Sequence, residues 1–375
     1  MNIVEFTAGS MRFADAVPDS APDDGFVWIY LDRGDLAHHL PELQAAAQRL
    51  GGSALLDLHV NDLASDTHPS HYDSTSVYDM VIFRRLATQA EVQADRAVDR
   101  APARTAAAPE PEVFSRIDSR AVGFAVFDRL LISVHPPGCY AAVSYVQRLA
   151  ADAKVAVDAA AVRNRTPQGP ADLALRMINT MVDSYLDLRK DLTDALEAAQ
   201  NELLQPDPEH DAWNAMMQAR GHLHVLQDLC EEQQDAMQEW LDTLRELPLS
   251  GYAAEPALAQ QRRDQLVARA RDVMEHIDRV LHHARRLEQS ADTVVQIHFA
   301  AQGHRTNDIM RTLTAVTAIF LPLNLFTGFF GMNFEHLPLI HSTEGMWAAL
   351  ALLVALAVGI LVIFQRRRYL TRSRR

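Results

Sequence analysis

The stretch TGFFGMNFEHLP, residues 327–338, places an asparagine amide among aromatics at the end of a long apolar run. From Thr312 to Phe334 there is no charged residue over 23 positions, yet Thr312, Thr314, Thr317, Asn324, Thr327 and Asn333 are polar and Pro322 interrupts the run. Polar groups inside an apolar span are costly unless they face protein or water. Threonine can return its hydroxyl to its own helix at little cost. Two asparagines are not absorbed that way, so this run is expected to line a water-filled path.

A second uncharged run, Gly345 to Gln365, covers 21 residues and is almost wholly aliphatic, which reads as lipid-facing. Each run is long enough to cross a hydrocarbon core, which takes about 20 residues of helix. Arg305 and Arg311 precede the first span, and Arg366, Arg367, Arg368, Arg372, Arg374 and Arg375 follow the second, while 335–344 has no Lys or Arg. The positive-inside rule then puts both termini in the cytoplasm and the 335–344 loop outside. Two spans cannot enclose a pore, so a conducting form requires several copies.

The 375 residues carry 35 basic and 49 acidic groups, a formal net charge of −14. The last 64 hold six of the basic groups and two of the acidic ones, which leaves 29 against 47 in the first 311, a net −18. An acidic body with a basic tail argues against nucleic acid as a partner. It would instead concentrate cations around itself. Cys139 and Cys230 lie far apart and in no metal spacing, and residues 1–13 carry no secretory signal.

Strand-like runs fall at 26–31, 78–83, 123–128 and 130–135, with helical patterns between and after them. They imply an α/β domain over 1–165, in which the Ala/Pro-rich 87–112 reads as a mobile loop. A helical hairpin follows over 166–255. From 256 there is no proline until Pro322, and Leu266, Ala270, Val273, Ile277, Val280, Ala284, Leu287, Ala291 and Val294 step by four and three. That seam marks a long packed stalk helix over 256–311, leading into the first span (312–334) without a break signal. The loop 335–344, the second span (345–365) and the basic tail 366–375 complete the chain.

The run TNDIMRTLTAVTAIFLPLNLFTGFFGMNF, with GMN closing the first of two C-terminal spans behind an acidic α/β body, resembles the CorA-type divalent cation transporters. The resemblance implies a CorA-like funnel, a homopentamer in the inner (plasma) membrane, and a pore lined by one helix from each copy. It carries a neck and gate onto Asn307, Met310 and Leu313, mid-pore rings onto Leu321 and Asn324, and an outer selectivity mouth onto Gly331, Met332 and Asn333. Asn324 stands where the family more often has threonine, and Phe330 where it often has tyrosine. Mg²⁺ holds its water tightly, so neutral amides and carbonyls can recognise its hydration shell without stripping it. Gly331 is expected to allow a turn at the helix end.

Two features depart from the magnesium-type pattern. After GMNF comes Leu337-Pro338-Leu339, and the loop's negative charge rests on Glu335 and Glu344. On the stalk, a regulatory carboxylate of some members falls at Gln296, with Asp292 one turn earlier as a possible regulatory metal ligand. A zinc transporter of the same superfamily, possibly proton-coupled, is therefore the alternative. Its candidate ligands are the pairs His68/His71, His222/His224, His282/His283 and His336/His341. A membrane-tethered cation sensor is a further alternative, though it would leave the polar first span unexplained. No Gly-rich phosphate-cradling loop is present, so neither an enzyme nor an ATP-driven pump is expected. No cofactor is implied beyond the transported ion, Mg²⁺ first, with Co²⁺ and Ni²⁺ beside it.

Overall fold

The computed structural model describes residues 1–7, 10–99, 112–155, 166–205, 210–246, 256–332 and 343–366. Two compact units divide the chain, 1–292 and 293–375.

In the first unit, seven strands form one sheet: β1 (Asn2–Thr7), β2 (Ser10–Ala14), β3 (Phe26–Asp32), β4 (His71–Ser74), β5 (Asp79–Leu86), β6 (Ser119–Val126) and β7 (Leu130–His135). Their order is β2-β1-β3-β7-β6-β5-β4. Only β3 and β7 pair in parallel, with Ile29 opposite Ile132 and Asp32 opposite His135. These two central strands are almost completely buried and mostly apolar, as strands covered by helices on each side are, with Ser133 and His135 the buried polar residues of β7. On one face Ile29, Leu31, Ile132 and Val134 pack with Leu36 and Leu43 of α1 (Leu36–Ala46) and Leu63 of α2 (Asp57–Ala64). The close approach of α2 depends on Gly123 in β6, where an added Cβ would lie 2.3 Å from Leu63 Cδ2.

Aromatics fill the other face. Trp28 meets Tyr30 at 4.7 Å between ring centroids and takes Tyr145 of α5 (Tyr140–Val155) edge-on. Two long helices are tied to the same sheet, α6 (Pro170–Leu203) and α7 (His210–Glu246). Tyr185 Oη donates to the Arg84 carbonyl at 3.1 Å, and Gln233 Nε2 donates to that carbonyl and to Tyr185 Oη. Buried Trp240 Nε1 donates to Asp79. The sequence reading places four strands and misses β1, β2 and β4. β4 reads HYDS and has no apolar alternation; Tyr72 stacks on Trp240, a partner 168 positions away.

Part of the segment 87–112, expected as a mobile loop, is helical. Helix α3 occupies Gln89–Asp99 and a short α4 occupies Glu112–Ser115, with 100–111 outside the described residues. Thr88 and Glu91 make a reciprocal capping box: Thr88 N donates to Glu91 Oε2 at 2.8 Å and Glu91 N to Thr88 Oγ1 at 3.3 Å. Glu91 also takes the buried Arg85 through two nitrogens. Together these start a helix where composition suggests a linker.

Helix α8 runs unbroken from Pro256 to Phe330. Its heptad seam is buried from Ala270 through Ala291, with Leu266 half-buried. α6 runs parallel to this part of α8, with Asp183 bonded to His276 and Gln200 to Ser290. α7 runs antiparallel, with Glu231 paired to Arg285 and Gln227 to Glu288. The second unit holds the rest of α8 and α9 (Thr343–Arg366).

Candidate ion-conducting segment

Both helices of the second unit contain windows apolar enough to cross a membrane, with mean hydropathies of 1.7 and 2.8. Among the described residues almost nothing covers that surface: Leu321 is 69 % exposed and Leu325 76 %. Uncovered apolar area on this scale marks a lipid or protein contact.

Beyond Arg311 the less exposed positions of α8 are Ala315, Ala318, Ile319, Pro322, Leu323, Phe326 and Phe330, which recur as one helical stripe. Asn307, Met310, Leu313, Leu321 and Asn324 are all exposed. At 3.6 residues per turn these five share an arc of about 120°, centred roughly opposite the stripe. Arg305, Asp308 and Arg311 project on the stripe side, so the arc carries no charge.

Thr314, Thr317 and Gly328 fall on the same arc. The sequence reading marks the two threonines as polar and assigns neither a lining role; the 3.6-residue spacing from Asn307 is the signal that finds them. Their hydroxyls donate back, Thr314 to the Met310 carbonyl at 2.8 Å and Thr317 to the Leu313 carbonyl at 2.9 Å. Thr312 and Thr327 do the same to the Asp308 and Leu323 carbonyls. With the hydrogen committed inward, each hydroxyl oxygen presents lone pairs outward. Pro322 sits within α8 without ending it.

The helix closes at Phe330, where Gly331 N donates to the Thr327 carbonyl at 2.9 Å and Met332 N to the Phe329 carbonyl at 3.4 Å. Gly331 is not in the left-handed region; among the described glycines only Gly52 and Gly138 are. Its small size is what matters, since a Cβ there would lie 3.1 Å from the Thr327 oxygen. Asn333, Glu335, His336 and His341 lie outside the described residues. Glu344 is exposed in the first turn of α9, where the helix dipole favours a carboxylate.

The remaining candidates do not assemble a metal centre. Asp292 Oδ1 is 2.8 Å from Arg220 Nε of α7, and Gln296 is exposed. His222 stacks on Phe114, whereas His224 faces Asp228 and Glu288 at 3.8 Å. His283 faces Thr193 and the Arg189 carbonyl, and burial holds its pKa below the usual value, whereas His282 is exposed. His68 and His71 have ring centroids 5.8 Å apart, and His68 bonds to the Pro69 carbonyl. Among the described residues no three His, Cys, Asp or Glu side chains are arranged to hold an ion.

Residues 23–367 match the family described as CorA-like Mg2+ transporter protein. The chain belongs to that family. A cobalt/magnesium transport protein CorA from Thermotoga maritima is 26 % identical over 198 residues, covering 53 % of this chain and 52 % of the relative. The chain thus spans about half the length of the curated relatives it matches first. The complete structure of the CorA magnesium transporter from Methanocaldococcus jannaschii superposes with a TM-score of 0.68 at 16 % identity, over 97 % of each chain. The ZntB cytoplasmic domain from Vibrio parahaemolyticus gives 0.50 at 15 % identity, over 81 % of this chain and 98 % of that one. These likenesses establish a CorA-like fold: an α/β domain, a long helix and two C-terminal apolar helices.

Proposed function

We propose that this protein conducts hydrated divalent cations, Mg²⁺ first, across the plasma membrane through a pore lined by α8 from each of five identical copies. The observation that carries the reading is the uncharged arc of α8, from Asn307 to Gly328, on a helix whose apolar surface is left uncovered among the described residues. Amide and hydroxyl oxygens at Asn307, Thr314, Thr317 and Asn324 can hydrogen-bond to the water shell that Mg²⁺ releases reluctantly. Met310, Leu313 and Leu321 alternate with them and form apolar rings that close the path by excluding water. Gly331, Met332 and Asn333 are assigned to the outer mouth, to which Glu335 and Glu344, the latter in the first turn of α9, add negative charge.

Both termini are cytoplasmic in this reading. The acidic body draws cations to the inner face, and a negative-inside potential favours entry by about 4.6 kcal/mol per 100 mV for a divalent ion. No further energy source is needed. The number five comes from the family resemblance.

Flux into proteoliposomes, comparing Mg²⁺, Co²⁺, Ni²⁺ and Zn²⁺ with and without a pH gradient, tests the assignment. Mg²⁺ entry independent of the pH gradient supports it. Zn²⁺ entry that follows the proton gradient, with no Mg²⁺ entry, supports the zinc alternative. In the same assay Asn333→Ala should abolish uptake while the oligomer stays assembled.

A further inference from the structure

Two histidines, His276 and His283, stand one heptad apart on the seam where α8 meets α6. His276 Nδ1 donates to Asp183 Oδ1 of α6 at 2.9 Å, and its Nε2 lies 3.8 Å from Asp272 Oδ1, one turn back on α8. Both carboxylates are about half exposed and line a cleft of about 270 Å³ among α5, α6 and α8. The imidazole is 17 % exposed, so it can exchange a proton with solvent while held in place.

A carboxylate only accepts, so the bond to Asp183 keeps a hydrogen on Nδ1. In the neutral ring Nε2 then turns a lone pair toward Asp272. A second proton makes that nitrogen a donor, and one imidazolium answers both carboxylates. The tie to α6 is an ordinary hydrogen bond when the ring is neutral. It is charge-assisted, with the ring steadied by Asp272, when the ring is protonated.

The other charged groups around the cleft face partners of their own. Arg176 of α6 and Arg269 of α8 bond to Asp172, and Arg279 bonds to Glu275 along α8. Arg148 of α5 donates to the Thr180 hydroxyl. Toward α7, Asp278 of α8 accepts from Gln234. His283 is the contrast on the same seam. Its Nε2 faces the Thr193 hydroxyl and the Arg189 carbonyl of α6, both at 3.3 Å, and its Nδ1 lies 3.4 Å from Arg286. Burial, with Arg189 and Arg286 nearby, lowers its pKa.

We infer that His276 is a proton-operated latch between α6 and α8: acid tightens the seam at Asp183, and loss of the proton loosens it. Helix α8 continues from this seam into the candidate conducting segment, so the latch acts on an element that both units share.

The test is hydrogen–deuterium exchange of the full-length protein in detergent, read on peptides covering 176–190 and 268–282 and corrected for intrinsic rates. It is run at about pH 5.5 and about pH 8.5, either side of the ordinary histidine range. His276→Gln keeps a donor for Asp183 and cannot titrate. At the acid pH the wild type is expected to exchange more slowly than this variant by at least about twofold, the scale of a half-exposed ion pair. At the alkaline pH the two should match. Asp272→Asn, at a side chain more than half exposed, should move acid-side exchange toward that of His276→Gln, whereas His283→Gln should leave it as in the wild type. Equal exchange in wild type and His276→Gln at both pH values, or a difference of the same size at both, would overturn the latch. So would Asp272→Asn behaving as wild type, or His283→Gln losing as much as His276→Gln. Exchange is read without transport, so absence of flux leaves the latch standing, and absence of the pH difference leaves the conduction reading standing.

Discussion

Arg220 Nε and Asp292 Oδ1 are 2.8 Å apart, a bond from α7 to the last residue of the first unit. The stalk carboxylate that could have taken a regulatory cation therefore already has one, supplied by its own chain. Gln296, one turn on, brings no charge. Both partners are about 40 % exposed, so the pair is worth little as stability. Its effect is to occupy Asp292.

Arg220→Ala should release that carboxylate. Protease sensitivity of the full-length protein, titrated with Mg²⁺, is expected to show no saturating transition in the wild type below millimolar concentration. The variant should acquire a Mg²⁺-dependent transition, because an exposed carboxylate is then free to bind. A sharp wild-type transition that Asp292→Ala removes would mean that the ion displaces Arg220, contrary to this account.

Met310 and Leu313 are three residues apart on the uncharged arc and more than half exposed in the single chain. If they form the apolar rings of the gate, replacing either with Ser should let water persist at the neck. Closed-state leak of Mg²⁺ should rise in each variant. Leak equal to wild type in both would place the gate elsewhere.

His135 gives the body a pH dependence. It is fully buried, shares a 2.8 Å hydrogen bond at Nε2 with the Ser133 hydroxyl, and leaves Nδ1 without a partner among the described residues. Burial, with Arg85 and Arg33 nearby, lowers its pKa from 6.5 to about 3. The folded state therefore holds it neutral where the unfolded chain protonates it. Its contribution is complete above pH 6.5 and is lost as pH falls toward 3. At pH 5 the loss is about 2 kcal/mol. The fall in melting temperature between pH 7.5 and pH 5 should be smaller in His135→Gln. An identical fall in the variant would assign the effect to other groups.

Much of this was legible in the sequence, for identifiable reasons. The stalk seam and the two apolar spans follow from periodicity and length, which are local properties. Strands β3 and β7 show themselves because burial on both faces favours a near-continuous apolar run, interrupted in β7 only by Ser133 before His135. Helix α3 was readable too, since Thr88 and Glu91 have the spacing of a capping box, but the Ala/Pro composition around them outweighed it. Strand β4 was not readable, because a distant tryptophan holds it in place. The same holds for Asp292: its sequence position suggests a metal ligand, and only the fold brings Arg220 to it.

The central claim is that one face of α8 lines the ion path, and a cysteine scan tests it most directly. The two native cysteines are buried, so the background is low. Single cysteines placed from 306 to 330 would be treated with a charged thiol reagent while Mg²⁺ flux is measured in proteoliposomes. Block is expected at Asn307, Met310, Thr314, Thr317, Leu321, Asn324 and Gly328, and not at Ala318, Pro322 or Phe326. Block concentrated on the Ala318–Pro322–Phe326 face, or spread without helical period, would contradict the account.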